Sequence, residues 1–361
     1  MNKSNNFFLS WLTSRSLKFW LNTATFILIV VILIAARKDI ASAFKDIGRA
    51  DWLVLSLLLP LQFLSYFAGT EVFLTYLRDR GQLKNVNVLE ATSMSLELNF
   101  MNHVFPSGGV SGIGYMSWRL GKFGVSAGQS TLAQIMKYVV QMAVFMAMMI
   151  LALIWAMLTD QMANWIAVAT TIAVVSFVFI LFFGAYIIGS EKRMRSFSRF
   201  FADKVNLLVF FLSFKRKKEV LSPETTEKFF LDFHADYVAL MSDKRILLKP
   251  IFWSFVFLIC DVSLFMITFA SLGTFVNPAI LFIAFGAAAL SGTFMVTPGG
   301  TGAYETIMIG ILTASGVPAT EAFAGVILAR VILILLTLVS GSFVYQRALH
   351  KYGSFRTEEK S

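Results

Sequence analysis

Thr297–Glu305, TPGGTGAYE, decides how this chain is read. Glycines, a proline and a carboxylate stand together between two long apolar runs. Backbone breakers and charge are both costly in hydrocarbon, so the stretch asks what surrounds it. Of the 361 residues, 57% are hydrophobic and 14% are charged. That balance is too apolar for a water-soluble domain and indicates a polytopic membrane protein. A single cysteine, Cys260, excludes a disulfide framework. His103, His234 and His350 are scattered, so neither a metal site nor a cofactor is expected. The net charge of +10 reads as basic loops on one side of a membrane, and nucleic acid is not an expected partner.

Working outward, six runs reach the roughly 20 apolar residues that a spanning helix needs. They are Phe19–Ala36, Trp52–Leu77, Ser130–Leu158, Ala163–Ile188, Ile251–Val276 and Thr320–Tyr345. The first is followed directly by Arg37 and Lys38 and reads as a retained helix rather than a signal peptide. Lys and Arg in the flanks place both termini, the link after the second span and the segment Glu191–Lys249 in the cytoplasm. Arg119 and Lys122 count among these flank charges. The loop Arg37–Asp51 runs against the rule, and Ile40, Phe44 and Ile47 mark a short interfacial helix in it. Two broken apolar regions remain, Val88–Phe123 and Pro278–Gly316. Each must enter the membrane and return on the same side. Irregular backbone survives at that depth only inside protein or against a wet cavity, which answers for TPGGTGAYE.

The two regions also resemble each other. At a spacing of 192, Pro106, Gly108, Met116, Leu120, Gly124, Val125 and Ala127 meet identical residues, seven in 22 positions. In each copy a hairpin with a Pro-Gly tip precedes a spanning helix. The expected fold is therefore an all-α polytopic membrane protein, with about six spans and two re-entrant hairpins in an inverted repeat. The chain is read as one membrane domain, with repeats at about 52–158 and 250–346. Between them lies a cytoplasmic segment at about 190–249, where Phe197, Phe200, Phe201, Val205 and Leu208 outline an amphipathic helix beside the basic run Lys215–Lys218.

Charges inside membrane segments mark candidate functional residues. Glu71, Lys137, Asp261 and Arg330 fall in spans; Glu97, with Asn99, Asn102 and His103, falls in the first hairpin and Glu305 in the second. Two roles are open. Glu97 and Glu305 neutralise Lys137 and Arg330 and join the halves, or the cations hold an anionic group such as a lipid phosphate. No phosphate loop is present, so no ATP motor is expected.

The motif PGGTGAYE, with Arg330 in the helix that follows, resembles the PGG-x-G-x-x-E pattern of the lysylphosphatidylglycerol synthase transmembrane family, also called the flippase-like domain family. NHVFPSGGVSG, from Asn102, is similar to that family's earlier motif. The resemblance runs from about Ser16 to Leu349. It implies a membrane region that moves aminoacylated phospholipid between leaflets, with the synthase domain of larger relatives not expected here and catalytic residues therefore none. It also implies hairpin tips at Pro106, Gly108, Gly109, Pro298, Gly299, Gly300 and Gly302, and a membrane phospholipid as partner beside a separate lipid-modifying enzyme. The competing expectation is a lipid-modifying enzyme, by aminoacyl transfer or lipid-linked glycosyl transfer.

Overall fold

The computed structural model describes residue 46 and residues 48–83, 86–104, 110–159, 162–212, 221–242, 244–294 and 302–353. The expected span Phe19–Ala36, the helix around Phe44, the run Lys215–Lys218 and the tip residues Pro106, Gly108, Gly109, Pro298, Gly299 and Gly300 lie outside the described residues. The chain order is α1 (Trp52–Ser56), α2 (Leu58–Asp79), α3 (Val88–Val104), α4 (Val110–Gly121), α5 (Ala127–Leu158), α6 (Asn164–Ile188), α7 (Glu191–Leu212) and α8 (Pro223–Ser242). After a short 3-10 turn follow α9 (Leu248–Ser271), α10 (Pro278–Phe294), α11 (Ala303–Ala314) and α12 (Ala319–Tyr352). Among the described residues, five helical segments are long and apolar enough to cross a membrane: Trp52–Asp79, α5, α6, Lys244–Ser271 and α12. The protein is an all-α polytopic membrane protein.

Local chemistry sets the boundaries. Asp51 caps α1 by accepting from the amides of Leu53 at 2.8 Å and Val54 at 3.3 Å. Pro60 has no amide to give the Ser56 carbonyl, which accounts for the break between α1 and α2. Ser126 and Gln129 close a capping box at the start of α5. The span expected to run to Val276 ends at Ser271 instead. Gly273, at φ +77°, turns the chain so that the Thr274 amide donates back to the Phe269 carbonyl at 3.0 Å. Hydropathy alone carried the expectation through that stop signal.

The repeat is visible in the backbone. α2 and α9 end 192 residues apart, and α5 and α12 start 192 apart. Gly81 and Gly273 hold φ of +80° and +77°, and Gly124 and Gly316 hold +82° and +94°. The closing bonds match as well: Gln82 N–H to Leu77 C=O at 3.0 Å repeats Thr274 to Phe269, and Val125 to Leu120 at 3.3 Å repeats Val317 to Leu312 at 3.1 Å. Each half is thus a helix, a helical hairpin and a long helix.

The halves pack reciprocally. α2 lies along α9, α3 packs on α12, and α10 packs on α5. Lipid tails are as apolar as leucine, so close backbone approach rather than hydrophobic burial drives such packing. A Cβ at Gly341 would sit 2.6 Å from Phe100 Cβ and 3.1 Å from the Leu96 carbonyl oxygen. A Cβ at Gly286 would sit 2.3 Å from Met149 Cε and 2.6 Å from Phe145 Cζ. Met149 and Gly341 are again 192 apart, so the same crossing is built twice with the glycine on opposite partners. α6 stands at the edge, with Ile172, Val175, Phe179 and Phe182 exposed. The expected amphipathic helix is α7, but α8 covers part of its apolar face: the Phe197 and Phe201 rings each stand 5.5 Å from Phe230. Phe200 stays exposed.

Candidate functional site

The last four residues of the opening motif form one device. Gly302 caps α11 at φ +98°, a conformation open to glycine at little cost. Glu305, at the third helical position, reaches back so that the Gly302 amide donates to its Oε2 at 2.6 Å. Its other oxygen accepts from Arg330 Nε at 2.9 Å. Tyr304 lies beneath the same guanidinium, whose Cζ is 4.2 Å from the ring centroid. One carboxylate therefore starts a helix and holds an arginine on the next one. The Arg330 and Glu305 side chains are 15% and 10% exposed, so the pair is largely removed from solvent.

Arg330 also faces the first hairpin. His103, at the end of α3, lies within reach of its charge and bonds through Nδ1 to the Asn99 carbonyl at 2.8 Å. Beside it, Asn102 Oδ1 is buried without a hydrogen-bond partner among the described residues, 2.2 Å from where a Cβ on Gly112 would stand. Arg330 is the twelfth residue of α12, ~17 Å from its start and ~33 Å from its end at the helical rise of 1.5 Å per residue.

A second polar group lies where the halves cross. Asp261 on α9 accepts from Ser65 Oγ on α2 and is the charged group that acts on Lys137 of α5. Lys137 makes no ion pair among the described residues; Phe73 and Tyr138 lie 5.7 and 5.8 Å from its ammonium. Nearby, the Tyr66 and Thr337 hydroxyls bond to each other and link α2 to α12. Tyr66 and Tyr304 both lie within reach of the Arg330 and Asp261 charges.

Of the two open roles, neutralisation of Lys137 by Glu97 does not occur. Glu97 Oε2 accepts from Arg119 Nε at 2.8 Å and from the Tyr115 hydroxyl at 2.9 Å. Arg119 also bonds Glu90, which accepts from the Tyr352 hydroxyl at 2.9 Å. The reason is helical register: Tyr115 and Arg119 are four apart on α4, Glu90 and Glu97 seven apart on α3, so each pair shares a face. That spacing was the available signal, and reading Arg119 as a loop charge passed over it. Glu71, the charge of the second expected span, is buried and held by Arg78 Nη1 at 2.6 Å. Among the described residues, no three His, Cys, Asp or Glu side chains converge as metal ligands.

A family model described as Lysylphosphatidylglycerol synthase TM region matches residues 19–341. The chain belongs to that family. A search of curated proteins gave no match. Membership in the lysylphosphatidylglycerol synthase TM region family ties this membrane protein to lipid synthesis or flipping. In this member, the match takes in both hairpins, the Asp261 group and the Glu305–Arg330 pair.

Proposed function

We propose that this protein moves an anionic or aminoacylated phospholipid, or a lipid-linked substrate, between the leaflets of the cell membrane. The observation that carries the reading is Arg330, held on Glu305 at one hairpin and within electrostatic reach of His103 at the other. An arginine at membrane depth costs at least about 2.5–3.5 kcal/mol on insertion scales, which a wet cavity or a partner offsets. A planar guanidinium that exchanges Glu305 for a lipid phosphate meets that need and marks a path for the headgroup. The domain is read as two inverted repeats at about 52–158 and 250–346, with both termini cytoplasmic. That arrangement lets one hairpin enter from each side and meet its counterpart at the level of Arg330.

The test is leaflet exchange of a labelled anionic phospholipid by purified protein in liposomes. Exchange with no chemical change to the lipid is expected, and Arg330→Gln removes it while the protein still elutes as a folded species. A covalently altered lipid product would instead establish a lipid-modifying enzyme.

A further inference from the structure

Away from Arg330, at the far end of α12, a cavity of about 230 Å³ opens between the start of α3, the end of α4 and the last turns of α12. Its lining includes Glu90, Glu97, Arg119, Arg347, Lys351 and Tyr352. Arg119 is 1% exposed, and Tyr352 stacks on it with the ring centroid 4.1 Å from Cζ. Two of its three nitrogens are committed, Nε to Glu97 and Nη2 to Glu90. Nη1 is buried and has no hydrogen-bond partner among the described residues. Leaving a buried guanidinium N–H unmade is costly, so the site as it stands is incomplete.

Charge says what completes it. Three cations, Arg119, Arg347 and Lys351, face two carboxylates, Glu90 and Glu97, which leaves one positive charge in excess. Lys351 approaches Glu90 only to 3.7 Å, and Arg347 makes no ion pair among the described residues. We infer that this cavity binds a phosphate group, carried either by a lipid headgroup or by a small soluble phosphate. One negative charge on a phosphodiester balances the excess. Its oxygens accept from Arg119 Nη1 at the back and from Arg347 and Lys351 at the mouth. The volume holds such a group with a few waters beside it. This site is separate from the Arg330 pair, and the inference does not rest on transport.

The full-length protein in detergent micelles, followed by its thermal unfolding midpoint, tests the inference. Additions are inorganic phosphate, phosphatidylglycerol, or diacylglycerol, which lacks the phosphate. At saturation, a rise of about 3–5 °C is expected with at least one phosphate source and none with diacylglycerol. A rise with inorganic phosphate assigns the soluble anion; a rise with the phospholipid alone assigns the headgroup. The double variant Arg347→Gln/Lys351→Gln leaves the buried Arg119 network intact and should lose most of the rise. In Arg330→Gln the rise should persist, which separates this cavity from the central pair. No rise with either phosphate source, an equal rise with diacylglycerol, or a full rise in the Arg347→Gln/Lys351→Gln variant overturns the inference.

Discussion

At the scale of single residues, Arg330 and Arg119 are arginines whose removal from solvent requires partners. Arg330 shares Glu305 with a helix cap, so exchanging that carboxylate for a ligand leaves the α11 amide still held by Oε2. Leaflet exchange should fall to background in Arg330→Gln and recover in part in Arg330→Lys, because an ammonium lacks the two-pronged contact. The double variant Arg330→Gln/Glu305→Gln decides between roles: restored exchange would make the pair structural only. Arg119 behaves differently. Arg119→Gln strands Glu97 in a site from which it has no escape, and should cost about 3–5 kcal/mol. The readout is the unfolding midpoint, with Glu97→Gln milder than Arg119→Gln. The Glu305–Arg330 pair was half legible in sequence, since the G-x-x-E spacing names a helix start and Arg330 lies in the next span. Arg119 was legible only through its spacing from Tyr115 and that of Glu90 from Glu97, because an arginine at a helix end otherwise looks like any flank charge until the end of another helix covers it.

At the scale of elements, close crossings and turns carry the structure. Gly341→Ala would bring a methyl to 2.6 Å from Phe100 Cβ, whereas a Cβ at Gly310 on α11 meets nothing within 4 Å. Gly341→Ala should therefore lower stability by about 1–3 kcal/mol. Gly310→Ala should leave it level or raise it by up to about 1 kcal/mol. Equal effects of the two would mean that α3 and α12 do not cross as described. The α7–α8 pair offers a pH test. Hydrogen bonds from Arg195, then Arg199, hold the Glu227 carboxyl below its ordinary value of 4.5. A depressed folded value means that the stabilisation is fully present above the unfolded value and fades as pH falls through the folded one. Protection of the α8 amides from exchange, taken relative to the unstructured-peptide rate at each pH, should fall on acidification below about pH 4.5, and Glu227→Gln should remove that acid-dependent step. Both helices were expected as one amphipathic segment; that α8 folds back on α7 rests on Phe230 and Asn206, whose partners are 15 or more residues away.

At the scale of the whole molecule, the inverted repeat predicts sidedness. With Cys260 replaced, cysteines placed at Met162 and Asn277 should react with an impermeant thiol reagent added outside. Reaction of either from the cytoplasmic face alone would rule out the inverted arrangement. Sequence by itself determined the membrane class, five spans among the described residues, both hairpins and the 192-residue repeat. Those follow from hydropathy length, backbone breakers and identities, which are local or counted along the chain. It also marked Lys137, Asp261, Glu305 and Arg330 as charges within apolar segments. Only the tertiary structure decided which charge meets which: that Glu97 takes Arg119, that Lys137 is left with Asp261 as its charged neighbour, and that α3 lies on α12 while α10 lies on α5. The physical reason is that partners come from helices as much as 271 residues apart among the described residues, as Tyr66 and Thr337 do. Which faces those helices turn to one another is set by the fit of glycine against side chain at each crossing, and hydropathy does not distinguish one face of an apolar helix from another.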